Sequence, residues 1–109
     1  MRCAWWLLLV GAVGCGGNAT ARPDPVADER VRLEVERRLR SEPALAGRPL
    51  RVDVRDGVVA LYGQVDGLGR WRCALLHAEL TPGVRSVVDH LEVVAGPVHV
   101  SCQAQPPAR

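Results

Sequence analysis

The sequence predicts one small α+β domain with the element order α-β-β-α-β, in which two helices pack on one face of a three-stranded sheet. Two segments carry apolar residues at helical spacing, and three segments alternate apolar and polar residues as half-buried strands do. The chain of 109 residues has room for one such domain. Because Phe is absent, Val, Leu and Ala must build most of the core.

The N-terminal residues predict an export signal. A short basic start precedes an apolar run over residues 4–13. This run is shorter than the roughly 20 residues that cross a bilayer, but its length is typical of a signal peptide. Small residues then precede Cys15, as in the processing site of bacterial lipoproteins, although Ala12 stands where leucine is usual. We expect a signal peptide at 1–14 and a lipid on the Cys15 sulfur, with ordinary secretory cleavage as the alternative.

The residues that follow the predicted cleavage site predict where in the cell envelope the protein is located. Gly16 is not Asp, which by resemblance to Gram-negative lipoproteins predicts the periplasmic side of the outer membrane. Without the lipid, the protein would be periplasmic or secreted. Residues 15–27 are rich in Gly, Ala and Pro, and they predict a lipidated N-terminus followed by a flexible tether.

The first helix is predicted from Asp28, as N-cap, to about Arg40. Pro43 ends it, since proline disfavours helical geometry at the residue before it. Leu33 lies off the apolar side, so it is either an isolated surface leucine or part of a contact surface. The core-facing stripe recurs at four-residue steps and consists of Val31, Val35 and Leu39.

A β-hairpin is predicted next. Residues 50–54 alternate strictly, residues 58–65 form the return strand, and Asp56-Gly57 supplies a two-residue type I′ turn. Turn chemistry and hydrophobic pattern agree on the register. They pair Arg55 with Val58, Val54 with Val59, Val52 with Leu61 and Leu50 with Gly63. The opposite face is expected to meet water and carries Arg51, Asp53, Arg55 and Tyr62.

The second helix is predicted to begin at Asp66 or Gly67 and to end near Leu80. Its apolar side consists of Trp71, Ala74, Leu75 and Ala78. The last strand is predicted over 84–94, and residues 95–109 form a C-terminal tail. Asp89 falls in the apolar set of this strand, so we expect it at a strand edge or end. The other members of that set are Val87, Leu91 and Val93.

The ordered set of these residues over 28–94 resembles the BON domain, a bacterial module named for osmotic-stress and nodulation proteins. The resemblance implies a three-stranded sheet with both helices on one face, a location in the envelope, and phospholipid binding or membrane attachment. We interpret Gly63 as the family's second-strand glycine, placed where a helix approaches the sheet, and Gly57 and Gly83 as further structural glycines. The residues that match are Asp28, Val31, Val35, Leu39, the run 52–65, Arg70, Ala74, Ala78, Gly83, Val84, Val87, Leu91 and Val93.

The sequence gives little support for catalysis, and we expect neither an enzyme nor a cofactor. The three histidines, His77, His90 and His99, accompany no Ser or Cys nucleophile in a recognised spacing. No Gly-rich phosphate loop follows a strand. The formal charge of +2 gives no reason to expect a nucleic-acid partner.

Arg70-Trp71-Arg72 is the candidate phospholipid contact, because Trp favours the membrane interface and Arg binds phosphate through two hydrogen bonds. The alternative is that Trp71 covers the edge of the core. The leading hypothesis is therefore a lipid-anchored envelope-maintenance module that binds an anionic phospholipid or a membrane-proximal partner. The alternative is a periplasmic protein-interaction module that docks a partner on the first helix or on a strand edge.

Cys73 and Cys102 predict a disulfide in an exported protein. The tail after residue 94 reaches up to roughly 26 Å, which is enough to return to the second helix, and Cys73 is expected off the core face of that helix. The alternative is a structural zinc site of Cys73 with His77, one turn apart, and His99 with Cys102 in the tail. An oxidising compartment favours the disulfide.

Overall fold

The structure, a computed structural model, describes residues 24–104. The predictions for the signal peptide, for Cys15 and for most of the tether lie outside these residues. The elements confirm the predicted order: helix α1 (Pro25–Ser41), a 3-10 turn (Pro43–Leu45), strands β1 (Arg51–Arg55) and β2 (Val58–Asp66), helix α2 (Leu68–Glu79) and strand β3 (Ser86–Val94).

The N-cap of helix α1 lies four residues earlier than predicted, because Asp24 and not Asp28 caps the helix. The Asp24 carboxylate accepts hydrogen bonds from the backbone N–H groups of Val26 (3.1 Å) and Ala27 (3.2 Å). Pro25 then occupies the first helical position, where a missing N–H leaves no hydrogen bond unmade. The last residues assigned to the tether from sequence therefore belong to the helix.

Asp28, the predicted cap, instead binds the hairpin turn. Its two carboxylate oxygens accept from the backbone N–H groups of Asp56 (2.9 Å) and Gly57 (3.0 Å). Both turn residues have positive φ, 52° and 77°, as the type I′ turn requires. The contact fixes helix α1 to a turn whose residues follow Asp28 by 28 and 29 positions.

The hairpin register is confirmed, with Arg55 opposite Val58, Val54 opposite Val59, and Val52 opposite Leu61. Strand β2 lies in the centre of the sheet, antiparallel to β1 and parallel to β3. Parallel neighbours need a crossover connection, which α2 provides.

Both helices contribute to one core on the same side of the sheet. The small side chains of Ala74 and Ala78 let α2 lie close to the strands, and both are fully buried. The predicted stripe of α1 is buried as well. The core cluster consists of Val31, Val35, Leu39, Leu45, Val52, Val59, Leu61, Ala74 and Ala78.

Gly63 lies where the chain entering β1 crosses the second strand, and not where a helix approaches the sheet. Its φ is 135°. A Cβ added there would lie 2.8 Å from the Leu50 Cδ2 atom and 3.1 Å from the Pro49 carbonyl oxygen. A glycine is needed at this position because a side chain would clash with Pro49 and Leu50, the residues directly before β1.

Candidate functional site

The predicted contact patch on α2 is largely used for contacts within the domain. The Arg70 guanidinium donates from Nε to the Ala44 carbonyl (2.8 Å) and from an Nη to the Asp66 carbonyl (3.0 Å). These bonds tie the start of α2 to the 3-10 turn. Arg70 therefore acts as a structural clamp and presents little of its guanidinium to a ligand.

Trp71 is half-buried, and its indole Nε1 donates to the Asp89 carboxylate at 2.7 Å. Asp89 lies on β3, an edge strand of the sheet, which agrees with the edge position expected for it. Trp71 thus covers the border between α2 and β3. Arg72 is the exposed member of the predicted patch.

A more accessible surface runs along the outside of α1. We define the α1 outer stripe as Val26, Arg30, Leu33 and Arg37, which succeed one another by one turn along a single side of the helix. Val26 is 67% exposed and Leu33 is 51% exposed. A shallow groove beside the stripe runs to Pro82. The stripe combines exposed apolar side chains with guanidinium groups.

The two arginines of the stripe differ in their partners. Arg37 binds the Glu34 carboxylate through two hydrogen bonds of 3.0 and 2.6 Å. Hydrogen bonds from Arg37 and Arg38 lower the pKa of Glu34 to about 2, so this carboxylate stays ionised at neutral pH. Arg30 has no side-chain hydrogen-bond partner within residues 24–104. Arg30 is therefore the guanidinium of the stripe that can accept an anionic ligand without giving up an ion pair.

The face of the sheet that the helices leave open carries a cation–aromatic row. The Arg51 guanidinium carbon lies 4.2 Å from the Tyr62 ring centroid. Tyr62 stacks on His90 with 4.8 Å between ring centroids. The three residues pair directly across β1, β2 and β3. Val88 lies on the same face and is 40% exposed.

The C-terminal tail returns to α2, where a disulfide joins Cys102 to Cys73 with 5.7 Å between the Cα atoms. Cys73 is 1% exposed, but it lies outside the core cluster that α2 shares with the sheet and is covered by the tail. The sequence pattern of α2 alone does not show that the tail covers this side. His77, one turn further along, is also buried, whereas His99 is exposed.

Glu42 and not His99 completes the group around the two cysteines. We define the Cys-His-Glu cluster as Glu42, Cys73, His77 and Cys102, whose ligand atoms all lie within 4.8 Å of one another. Glu42 precedes the proline that ends α1, and it was not among the candidate site residues predicted from sequence. The only local sign that Glu42 has a structural role was its position directly before a 3-10 turn, because acidic residues accept hydrogen bonds from the N–H groups of such turns.

The Glu42 carboxylate is 2% exposed and fully hydrogen-bonded. Its Oε1 lies 2.7 Å from His77 Nε2 and accepts from the Gln103 backbone N–H at 2.7 Å. Its Oε2 accepts from the Ala44 N–H at 3.1 Å. The second ring nitrogen of His77, Nδ1, is buried and has no partner among the described residues.

Small residues at the start of α2 let the tail lie against the helix. A Cβ on Gly69 would lie 2.8 Å from the Val98 carbonyl oxygen, and the Gly69 N–H donates to the Pro97 carbonyl at 3.2 Å. A Cβ on Gly67 would clash with the Pro97 carbonyl oxygen. Backbone contacts therefore hold the tail in addition to the disulfide. Gly67 was predicted as a possible start of α2, but neither Gly67 nor Gly69 was predicted to contact the tail.

Stability should depend on the charge of Glu42. Burial raises the pKa of this carboxyl, but hydrogen bonds from His77, Gln103 and Ala44 outweigh burial, and the pKa lies below its ordinary value of 4.5. A lowered pKa means that the ionised form stabilises the fold above the ordinary value, and that this contribution is lost as the pH falls through the folded-state pKa.

We therefore expect the free energy of unfolding of the native chain to fall more steeply than that of Glu42→Gln as the pH is lowered from the ordinary carboxyl pKa of 4.5 through the lowered pKa of Glu42. Urea denaturation followed by circular dichroism at several pH values measures both slopes. Glu79→Gln, at the exposed end of α2, is the matched control and should keep the native slope. Parallel pH profiles for Glu42→Gln and the native chain would contradict the role given to this carboxylate.

Neither helix within residues 24–104 is long and apolar enough to cross a membrane. A sequence model of the family described as BON domain matches residues 27–95. The match covers nearly all of α1 and continues through β3, and it stops before the tail that carries Cys102. No curated protein and no solved structure matches the chain.

Proposed function

The chain belongs to the BON domain family, a family of non-catalytic modules associated with membranes, phospholipids and the cell envelope, and on that premise we propose that it is a lipid-anchored envelope protein whose domain binds anionic phospholipid. In this proposal the leader directs export and Cys15 carries the lipid. The protein then lies on the periplasmic side of the outer membrane.

The α1 outer stripe is the observation that carries this proposal. A guanidinium recognises a phosphate through charge and paired hydrogen bonds, and Arg30 has no competing partner among the described residues. Val26 and Leu33 on the same side supply apolar surface for the boundary between head groups and acyl chains. Two apolar side chains bind a bilayer weakly by themselves, so a second attachment is needed.

The proposed anchor supplies that second attachment at the same end of the domain. Eight residues separate Cys15 from Asp24, a span of at most about 30 Å when fully extended. Tethering at this distance raises the effective concentration of the stripe at the bilayer. The stripe can then contribute although its own affinity is low. Of the patch predicted on α2, only Arg72 joins this proposal, because Arg70 and Trp71 bind groups within the domain.

Vesicle co-sedimentation tests the lipid contact without the anchor. The chain without the predicted signal peptide, carrying Cys15→Ala, should bind phosphatidylglycerol vesicles more tightly than phosphatidylcholine vesicles, and added salt should weaken the binding. We expect Arg30→Gln to lower the affinity about fivefold, since one basic residue near an anionic surface contributes about 1 kcal/mol. Leu33→Ala should also lower the affinity for phosphatidylglycerol vesicles.

Arg55→Gln and Val88→Ala are the matched controls, because they remove a guanidinium and an exposed aliphatic side chain from the open face of the sheet. Both should leave vesicle binding unchanged. Equal binding to the two vesicle types, or equal losses in the control variants, would overturn the proposed contact. Mass spectrometry of the protein from cells tests the anchor separately, and an unacylated Cys15 would remove the anchor while leaving the lipid contact standing.

The open face of the sheet favours a second candidate function, a protein-interaction module. The row of Arg51, Tyr62 and His90 presents aromatic and cationic groups that the helices do not cover. Aromatic residues and Arg are the types most enriched at the centres of protein interfaces. Crosslinking in cells that recovers one specific partner, with loss of that product in Tyr62→Ala, would support this function over lipid binding.

A further inference from the structure

We propose that the reduced domain binds one zinc ion through the Cys-His-Glu cluster. Two thiolates, one imidazole nitrogen and one carboxylate oxygen are all established zinc ligands, and four such ligands complete a structural site. This site needs neither a bilayer nor the anchor, so it extends beyond the phospholipid-binding function and does not depend on it.

The ligand atoms converge from three parts of the fold. Glu42 follows the end of α1, Cys73 and His77 stand one turn apart on α2, and Cys102 comes from the tail. All four ligand atoms lie within 4.8 Å of one another. Tetrahedral zinc with its usual bond lengths places ligand atoms roughly 3.3–3.8 Å apart. Side-chain rotations, without a rearrangement of the elements, therefore suffice to assemble the site once the sulfur–sulfur bond is broken.

The scaffold of the site does not depend on the disulfide alone. The tail is also held by the Gln103 N–H on Glu42 (2.7 Å) and by the Gly69 N–H on the Pro97 carbonyl (3.2 Å). After reduction these bonds keep the Cys102 thiol near the Cys73 thiol. Much of the cost of assembling a metal site is the ordering of its ligands, and here the fold has already ordered them.

The buried imidazole is a second, independent observation that points to a ligand. His77 is 6% exposed, one ring nitrogen lies on Glu42, and Nδ1 has no partner among the described residues. Buried polar atoms are nearly always hydrogen-bonded, and an exception calls for a bound species or a functional role. A ring with one unpartnered nitrogen gives up only its hydrogen bond to Glu42 when it turns to bind a metal.

The change of state balances in electrons and protons. A dithiol reductant supplies two electrons and two protons to the Cys73–Cys102 disulfide, whose S–S bond breaks to leave two thiols, while the reductant becomes a disulfide. Zinc then displaces the two thiol protons, which pass to solvent, and binds the resulting thiolates. Neutral His77 and ionised Glu42 contribute lone pairs without further redox change.

Metal titration of the full chain tests the site in both redox states. Zn²⁺ binding is measured by calorimetry, and Co²⁺ binding by the visible and near-ultraviolet absorption of a tetrahedral thiolate complex. In the presence of a phosphine reductant we expect one equivalent of either metal to bind. The disulfide form should bind neither at the cluster. If reduction loosens the fold, zinc should restore the helical circular dichroism, since ligand binding then drives folding.

Variants distinguish the Cys-His-Glu cluster from the zinc site predicted from sequence, which has His99 in place of Glu42. We expect Glu42→Gln to weaken zinc binding by at least about tenfold. Loss of a residue that only hydrogen-bonds a metal ligand already weakens metal binding by about 10- to 100-fold. His99→Ala is the matched control and should bind zinc as the native chain does, because His99 is exposed and outside the cluster. Absence of binding by the reduced chain, equal binding by the disulfide form, or a loss in His99→Ala equal to that in Glu42→Gln would each overturn the proposal.

Discussion

Leu61→Ala is expected to lower the free energy of unfolding by about 2–5 kcal/mol. Leu61 lies on the central strand, is fully buried, and belongs to the cluster formed by both helices and the sheet. Truncation removes apolar contacts and leaves a cavity that a rigid sheet cannot close. Small domains are stable by only about 5–15 kcal/mol, so this one change can remove a large part of the total.

Urea denaturation followed by circular dichroism measures the loss. Leu33→Ala is the matched control, because the same truncation is made on a side chain that is 51% exposed, and it should change stability by no more than about 0.5 kcal/mol. Similar losses for the two variants would show that the sheet face carrying Leu61 is not the centre of the core.

Loss of the disulfide is expected to cost about 2–4 kcal/mol. The bond closes a loop between residues 29 positions apart, and a loop of this length restricts the unfolded chain by about 3.6 kcal/mol in the chain-entropy treatment. The double variant Cys73→Ala/Cys102→Ala should therefore unfold at a lower denaturant concentration than the oxidised native chain. Guanidinium denaturation with a chelator present measures this difference without any contribution from metal.

Ser101→Ala serves as the control for the disulfide, since it changes an exposed neighbour of Cys102 and should leave the midpoint where it is. The reduced native chain should match the double variant to within about 1 kcal/mol, because both lack the cross-link. A double variant as stable as the oxidised chain would mean that the tail contributes nothing through Cys102.

The hairpin could be predicted to the residue because two independent signals agreed. The Asp56-Gly57 turn and the alternation of the strands specify the same register, and a shift by one residue would turn every apolar side chain outward. The start of α1 was harder, because both Asp24 and Asp28 are acceptable N-caps. Pro25 at the first helical position is a local sign in favour of Asp24, whereas the contact of Asp28 with the turn is long-range and has no local pattern.

The candidate sites were predicted less well than the fold, for a related reason. Sequence spacing brought Cys73, His77 and Cys102 into one hypothesis, but it chose His99 as the fourth group where the structure places Glu42. The burial of Glu42 follows from the path of the tail across α2, which depends on close backbone packing. Arg70 and Trp71 were likewise judged by residue type, whereas their roles are set by carbonyl and carboxylate groups distant in sequence.

Because of the path of the tail, the end of the family domain and the end of the folded unit are at different residues in this chain. The homologous unit ends at residue 95, yet the segment beyond it turns one flank of α2 from a solvent-facing surface into an interior. The cooperative folding unit of this chain is therefore longer than the stretch it shares with its family. A chain that contained only residues 27–95 would lack the tail. The glycines, the histidine and the thiol on this flank of α2 would then lose the segment that covers them.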